Sequence, residues 1–384
     1  MEPLAFAALV ALLVFVASVV AVELATSVAI IEIAAGVLAG NALGLHGAPW
    51  FDFLAQFGGI LLTFLAGAEV DPGLLRAKLK PSLLLGGASF VLPFLAAAAY
   101  AAYVAHWTPK ASLIAGTALS TTSLAVVYVV LVETGLNATE LGKLIMAATF
   151  VTDIGTALAL SLLFVERPWA TGVFLVVSGL VVVAAARGLP PVFERYGARV
   201  IEPEIKLLFA LLFGLMLLAR WGRSHAVLPA FVLGLALAPM FHRHRELQRK
   251  LRVVAFGLVT PFFFLKGGMN VSLGTLGPHL GALLGFFLVK IAAKSAGVFP
   301  LARLHMPGAA TYTTLLMSTG LTFGTISALY GLQAGHIDRA QFSILLTVVI
   351  GTAIVPTVIA QRWFRPRLSP EEQEEALARE EESI

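Results

Sequence analysis

Residues 141–164 read LGKLIMAATFVTDIGTALALSLLF, and beyond Lys143 at the start the stretch carries a single charge, Asp153, near its middle. About twenty predominantly apolar residues rising ~1.5 Å each are enough to cross the ~30 Å hydrocarbon core of a bilayer. The stretch therefore reads as a transmembrane helix, with Asp153 roughly 15 Å in from Lys143. An ionisable side chain at that depth costs at least ~2.5–3.5 kcal/mol on insertion scales and marks a functional position by default. The other three aspartates, Asp52, Asp71 and Asp338, fall in or beside loops.

The rest of the chain repeats this pattern. Of its 384 residues 59% are hydrophobic and 12% charged, and the mean hydropathy is +0.91, which excludes a soluble globule. Apolar stretches long enough to span lie at about 4–22, 26–45, 53–70, 82–104, 111–132, 142–164, 169–186, 205–219, 226–241, 253–271, 279–301, 308–331 and 341–361. The expected fold is an all-α polytopic membrane protein of about thirteen helices. One transmembrane domain covers 1–364, and an acidic tail, 365–384, ends in EEQEEALAREEESI. No nucleotide-binding loop or dinucleotide fingerprint follows the last span, so no cofactor is expected.

Orientation follows from the 26 lysines and arginines, because short cytoplasmic loops collect basic residues. With the N-terminus outside, the cytoplasmic segments hold Arg76, Lys78, Lys80, Lys143, Arg187, Arg195, Arg199, Lys206, Arg243, Arg245, Arg249, Lys250, Arg252, Arg303, Arg362, Arg365, Arg367 and Arg379. The outer loops hold Lys110, Arg167, Arg220, Arg223 and Arg339, while Lys266, Lys290 and Lys294 lie within spans. An even number of spans would scramble this partition. The net charge of +4 is thus a topology signal, and no nucleic-acid partner is expected. The first stretch lacks a basic leader and a cleavage site and reads as a retained helix. Without cysteine there is neither a disulfide framework nor a thiol nucleophile.

Two spans carry a polar run at their centre, ALSTTSLAVV at 118–127 and LLMSTGLTFGTI at 315–326. Consecutive Ser, Thr and Gly weaken a helix in mid-membrane, and non-helical backbone is tolerated there only where protein or water surrounds it. The breaks are expected at Ser120, Thr121, Thr122 and Ser123 in the fifth span and at Ser318, Thr319 and Gly320 in the twelfth. Interrupted helices in corresponding places of two halves point to a transport site built from inverted repeats. Each lies next to a span with a buried charge: the sixth holds Asp153, the eleventh Lys290 and Lys294.

Depth ranks the two lysines. Lys294 lies roughly 13–14 Å in from Arg303, level with Thr152, whereas Lys290 lies about 20 Å in, one turn further out on the same helix face. Lys294 is the preferred partner of Asp153 and Lys290 its rival. Burial favours the neutral carboxyl and a nearby ammonium favours the carboxylate. Between these opposing pulls a proton and a hard monovalent cation can compete for one site.

Other signals are weaker. Glu32 in VAIIEIAAGVLAG reads as a packing or cavity residue, Lys266 as a side chain that snorkels to the interface, and Gly36 and Gly40 as a close helix contact. The eight histidines show no metal-ligand spacing, which leaves a zinc-dependent intramembrane enzyme without support.

The stretches IIEIAAGVLAG, FLAGAEVD, STTSLAVV through ETGLNATELGKLIMAATFVTDIG, PFFFLKGGMNVSL and AKSAGVFPLARL together resemble the monovalent cation:proton antiporter-2 family, in order and spacing over most of the chain. The resemblance implies a homodimer of thirteen-helix protomers in the plasma membrane of a prokaryote, with the inverted-repeat antiporter fold and two broken crossing helices. Dimerisation helices, about 1–45 and 169–241, would stay fixed. Core helices, about 82–164 and 279–361, would carry the site between the two faces. On this mapping Asp153 is the proton- and cation-binding carboxylate, for Na⁺ or K⁺, and Lys294 matches the lysine of the eleventh span. Electrogenic members carry two adjacent aspartates where this chain has Thr152 and Asp153, so the implied exchange is electroneutral. Thr152, Thr121 and Thr122 are candidate oxygen ligands, since hard cations prefer oxygen. The rivals are a sodium-coupled symporter of an organic anion on the same architecture and a cation channel lined by the polar breaks.

Overall fold

The computed structural model describes residues 2–24, 27–45, 47–70, 73, 79–137, 139–164, 168–196, 201–222 and 224–366. The acidic tail beyond Pro366 lies outside the described residues, as do Arg76, Lys78, Arg167, Arg199, Arg223, Arg367 and Arg379 from the orientation count. Among the described residues there is helix and no strand.

A helix or helix pair occupies each of the thirteen spans. In order these are Pro3–Glu23, Val28–Asn41, Pro49–Ala68, Leu79–Ala99 continued by a π-helical turn to Val104, and the pair Pro109–Ser120 and Leu124–Glu133. Glu140–Leu162, Pro168–Tyr196, Pro203–Trp221 and Val227–Arg243 follow, then Arg245–Val254 running through a π-helical turn into Thr260–Met269. Leu280–His305, the pair Ala310–Met317 and Thr322–Gln333, and Arg339–Trp363 complete the set. Ten of these segments are long and apolar enough to cross a membrane, and the chain is a multi-pass membrane protein. The second and ninth are shorter apolar helices. The eighth carries Glu204, Lys206 and Arg220 near its ends, which shortens its apolar stretch.

The seventh helix outruns its predicted end at 186 and continues to Tyr196 through Pro190 and Pro191. Hydropathy falls beyond Ala186, but Leu189 and Phe193 extend the buried row of Val182 and Ala185, and that amphipathic face keeps the helix going. Likewise residues 242–252, between the ninth and tenth predicted spans, are mostly helix, with Leu247 and Leu251 buried.

The chain divides into two compact units, Met1–Asp71 with Ala157–Thr275, and Pro72–Thr156 with Leu276–Ile384. In the first, small residues let helices approach to backbone contact, the association available where lipid removes the hydrophobic drive. The third and ninth helices meet at Gly67 and Gly234, which face the backbone of Phe231 and Phe64. The second meets Thr260–Met269 at Gly36 and Gly40, against the carbonyls of Leu265 and Met269, the close contact expected of that spacing. Polar groups of this unit are paired at its ends. Lys266 reaches Asp52 at 2.7 Å, so an ion pair holds the side chain expected to snorkel. Arg252 binds Glu69 at 2.5 Å, and Lys250 binds Glu202 at 2.9 Å and Glu246 at 3.3 Å. Glu32 is buried in the second helix.

The second unit holds both broken spans. Its apolar core joins Leu85 of the fourth span, Val127, Val130 and Leu131 of the fifth, Leu144, Ile145 and Ala148 of the sixth, Val298 and Ala302 of the eleventh and Leu316 and Met317 of the twelfth. Gly86 lies against the Ala148 carbonyl and Val151, and Gly297 against Ala88. The fourth span is thereby drawn close to both the sixth and the eleventh. Asp338 starts the last helix with a capping box: its side chain accepts from the Gln341 N–H at 2.8 Å, and Gln341 Oε1 accepts from the Asp338 N–H at 3.0 Å.

Candidate functional site

The two breaks form where the polar runs predict them. Helix stops at Ser120 and resumes at Leu124, and stops again at Met317 and resumes at Thr322. The hydroxyls of the runs satisfy carbonyls that the interruptions release. Ser120 Oγ donates to the Thr117 carbonyl at 3.0 Å and Thr121 Oγ1 to that of Ala118 at 3.3 Å. Ser318 Oγ donates to Thr314 at 2.7 Å and Thr319 Oγ1 to Leu316 at 2.8 Å. Two further bonds tie one break to the other: Thr122 Oγ1 donates to the Met317 carbonyl at 2.9 Å, and the Ser123 N–H donates to Thr319 Oγ1 at 3.4 Å. Gly324 fits against the Ala118 carbonyl, where a Cβ would lie 3.0 Å from the oxygen. The polar runs therefore do more than permit close packing; they stitch the two interrupted helices together.

Asp153 sits beside this crossing on an unbroken helix, Glu140–Leu162. At ~1.5 Å per residue it is roughly 20 Å from one end and roughly 14 Å from the other, and it is 1% exposed. Thr152 is fully buried and turns its hydroxyl onto its own helix, donating to the Thr149 carbonyl at 2.7 Å. Thr156 donates in turn to the Thr152 carbonyl at 2.9 Å.

The two lysines are fully buried on the eleventh span and hold different partners. Lys294 Nζ donates to Ser89 Oγ at 2.8 Å and to Thr122 Oγ1 at 3.0 Å. Through Thr122 it is connected to the Met317 carbonyl at the C-terminal end of a half-helix, the end that carries partial negative charge. Its charged neighbours are Asp153 and Lys290. Lys290 Nζ donates to Thr352 Oγ1 of the last helix at 3.0 Å. Its ammonium also lies beside Gly320, in space that a β-carbon there would need. Asp153, Lys290 and Lys294 are the buried charged residues among the described residues of this unit.

Two members of the site escaped the sequence. Ser89 in GGASF and Thr352 in VIGTAIVP are single hydroxyl residues in apolar helices, with nothing in composition or spacing to set them apart from packing residues. Their role as lysine partners comes from the approach of the fourth and thirteenth spans to the eleventh.

Comparison with known proteins places this architecture. The family model described as "Sodium/hydrogen exchanger, transmembrane" matches residues 7–365, a range that includes both breaks, Asp153, Lys290 and Lys294. The chain belongs to the sodium/hydrogen exchanger family. Among its relatives, the probable Na⁺/H⁺ antiporter 3 of Methanocaldococcus jannaschii is 26% identical over 332 residues, covering 81% of this chain and 83% of the relative. The Na⁺/H⁺ antiporter NhaS4 of Synechocystis is 26% identical over 331 residues, covering 80% of each. In fold the chain is similar to the sodium proton antiporter MjNhaP1 from Methanocaldococcus jannaschii, solved at pH 8, with a TM-score of 0.67 over 95% of this chain and 99% of that one at 15% identity. These relatives are transporters and not enzymes.

Proposed function

We propose that the protein is a secondary-active exchanger of a monovalent cation, Na⁺ or K⁺, for a proton, with Asp153 as the carboxylate that both ions use. The observation that carries this reading is the placement of Asp153, buried at mid-helix, in the electrostatic field of Lys294, whose hydrogen bonds lead through Thr122 to the crossing of the broken helices. A carboxylate there is neutralised by a proton or by a cation, and either one excludes the other. Thr152, Thr121 and Thr122 are the oxygen-bearing side chains assigned to the cation. Family membership and the printed functions of the relatives support the same reading.

The remaining assignments belong to this proposal. Exchange is electroneutral, because Thr152 contributes no charge beside Asp153. The unit that contains both breaks is the moving core, and helices of the other unit dimerise with a second copy. The protein resides in a prokaryotic plasma membrane with its N-terminus outside and its C-terminus in the cytoplasm, in keeping with the distribution of basic residues.

The test uses purified protein in liposomes with a trapped pH dye, titrated with sodium, lithium and potassium at zero and at negative membrane potential. Proton movement driven by one cation and unaffected by potential is the expected result. Movement that depends on potential would overturn electroneutrality, and no proton movement with any cation would overturn exchange itself.

A further inference from the structure

The tenth span buries one side and leaves the other open. Leu247 and Leu251 of Arg245–Val254 are buried, as are Ala255 and Val259 of the π-helical turn Ala255–Val259. On the open side Arg249, Val253 and Gly257 follow at four-residue steps, which sets them in one row along the helix, and all three are exposed. A β-carbon at Gly257 would meet nothing within 4 Å, while Phe256 and Leu258 on either side of it are 43% and 61% exposed. The row is therefore a notch: bare backbone between two apolar side chains, with Val253 one turn nearer the boundary and a guanidinium at its mouth. It closes at Thr260 and Pro261, which are buried. From Arg249 to Gly257 is roughly 12 Å at ~1.5 Å per residue, within the ~15 Å depth of one leaflet of a ~30 Å hydrocarbon core. The neighbouring cations have other partners, Lys250 with Glu202 and Glu246 and Arg252 with Glu69.

We propose that this notch is a binding site for an anionic phospholipid, with the headgroup phosphate on Arg249 and an acyl chain laid along Val253 and Gly257 between Phe256 and Leu258. A guanidinium keeps its charge at any physiological pH and offers two parallel N–H donors to phosphate oxygens. One arginine near the membrane surface favours an anionic lipid by roughly 5-fold. Because lipid tails are as apolar as the helix, the notch contributes close packing rather than a hydrophobic drive. Membrane orientation asks only for basic residues somewhere in the short loop, whereas a lipid site asks for one in register with the notch. Lipid binding here requires nothing of the exchange site.

The experiment titrates delipidated, detergent-purified protein with dioleoyl phosphatidylglycerol or dioleoyl phosphatidylcholine and reads the lipid retained per protomer by native mass spectrometry. The two lipids share their acyl chains and a phosphate, and the choline of the second cancels its charge. Native protein is expected to hold phosphatidylglycerol roughly 5-fold more tightly than phosphatidylcholine. Arg249→Gln should erase that preference and Arg249→Lys should keep it. Arg195→Gln removes another exposed arginine of the same unit, outside the row, and should leave the preference native. Gly257→Leu fills the notch without altering charge and should weaken both lipids by roughly 3-fold; the open space at Gly257 lets the leucine fold in place. Equal losses in Arg249→Gln and Arg195→Gln would mean diffuse surface charge and would overturn the site, as would native lipid affinity in Gly257→Leu. A shift from dimer to monomer in Gly257→Leu with lipid retention unchanged would assign this face to a second copy of the chain and overturn it as well.

Discussion

Replacing Thr122 by valine tests the link between the charge cluster and the broken helices. The side chains are nearly isosteric, so the packing volume stays and the hydroxyl goes. Three bonds are lost: Lys294 Nζ loses an acceptor at 3.0 Å, the Met317 carbonyl loses a donor at 2.9 Å, and Ser89 Oγ loses a partner at 3.5 Å. All three groups are buried. A hydrogen bond to a charged group contributes about 1.5–3 kcal/mol, and a buried carbonyl left unmet costs about 1–3 kcal/mol, which together give a destabilisation of about 2.5–6 kcal/mol. Thr121→Val is the matched control. Its hydroxyl bonds the Ala118 carbonyl of its own helix at 3.3 Å and holds no charged group, so the expected cost is about 1 kcal/mol. The assay is denaturant unfolding of the purified protein in detergent, with exchange measured in liposomes on the same preparations. Thr122→Val should be the less stable of the two by at least about 1.5 kcal/mol and should lose most of its exchange. Equal stabilities would refute the argument that Thr122 joins Lys294 to the second break.

Three further outcomes follow from the same geometry. Asp153→Asn should abolish cation-driven proton movement while the protein remains folded and elutes as the native species; retained exchange would sink the assignment of Asp153. Thr152→Asp places a second carboxylate beside the first, and transport should become sensitive to membrane potential, which the liposome assay at clamped potentials reads directly. Gly268→Ala would push a β-carbon into the backbone of Ile33, Val37 and Gly36, and should cost about 1–3 kcal/mol as overpacking, measured by unfolding; stability equal to native would show that the second helix can yield there.

Hydropathy along the chain was sufficient for the class of the protein, the order of its helical segments and the position of Asp153 along its helix, because each is a one-dimensional quantity: length, apolar content, and rise per residue. The polar runs at 118–127 and 315–326 located the breaks for a related reason, since a helix interrupted in lipid must bring its own hydroxyls. Azimuth was not legible in the same way. Lys290 and Lys294 share a helix face at four-residue spacing, so periodicity treats them alike. Only the approach of the fourth and fifth spans gives Lys294 its hydroxyls at Ser89 and Thr122, while the last helix gives Lys290 its own at Thr352. Composition and order along the chain therefore determined that an aspartate, two lysines and two broken helices lie in the middle parts of apolar spans. The tertiary structure decided which ammonium meets which helix, because hydrogen-bond partners are set within about 3 Å and that precision comes from packing between segments up to about two hundred residues apart in sequence.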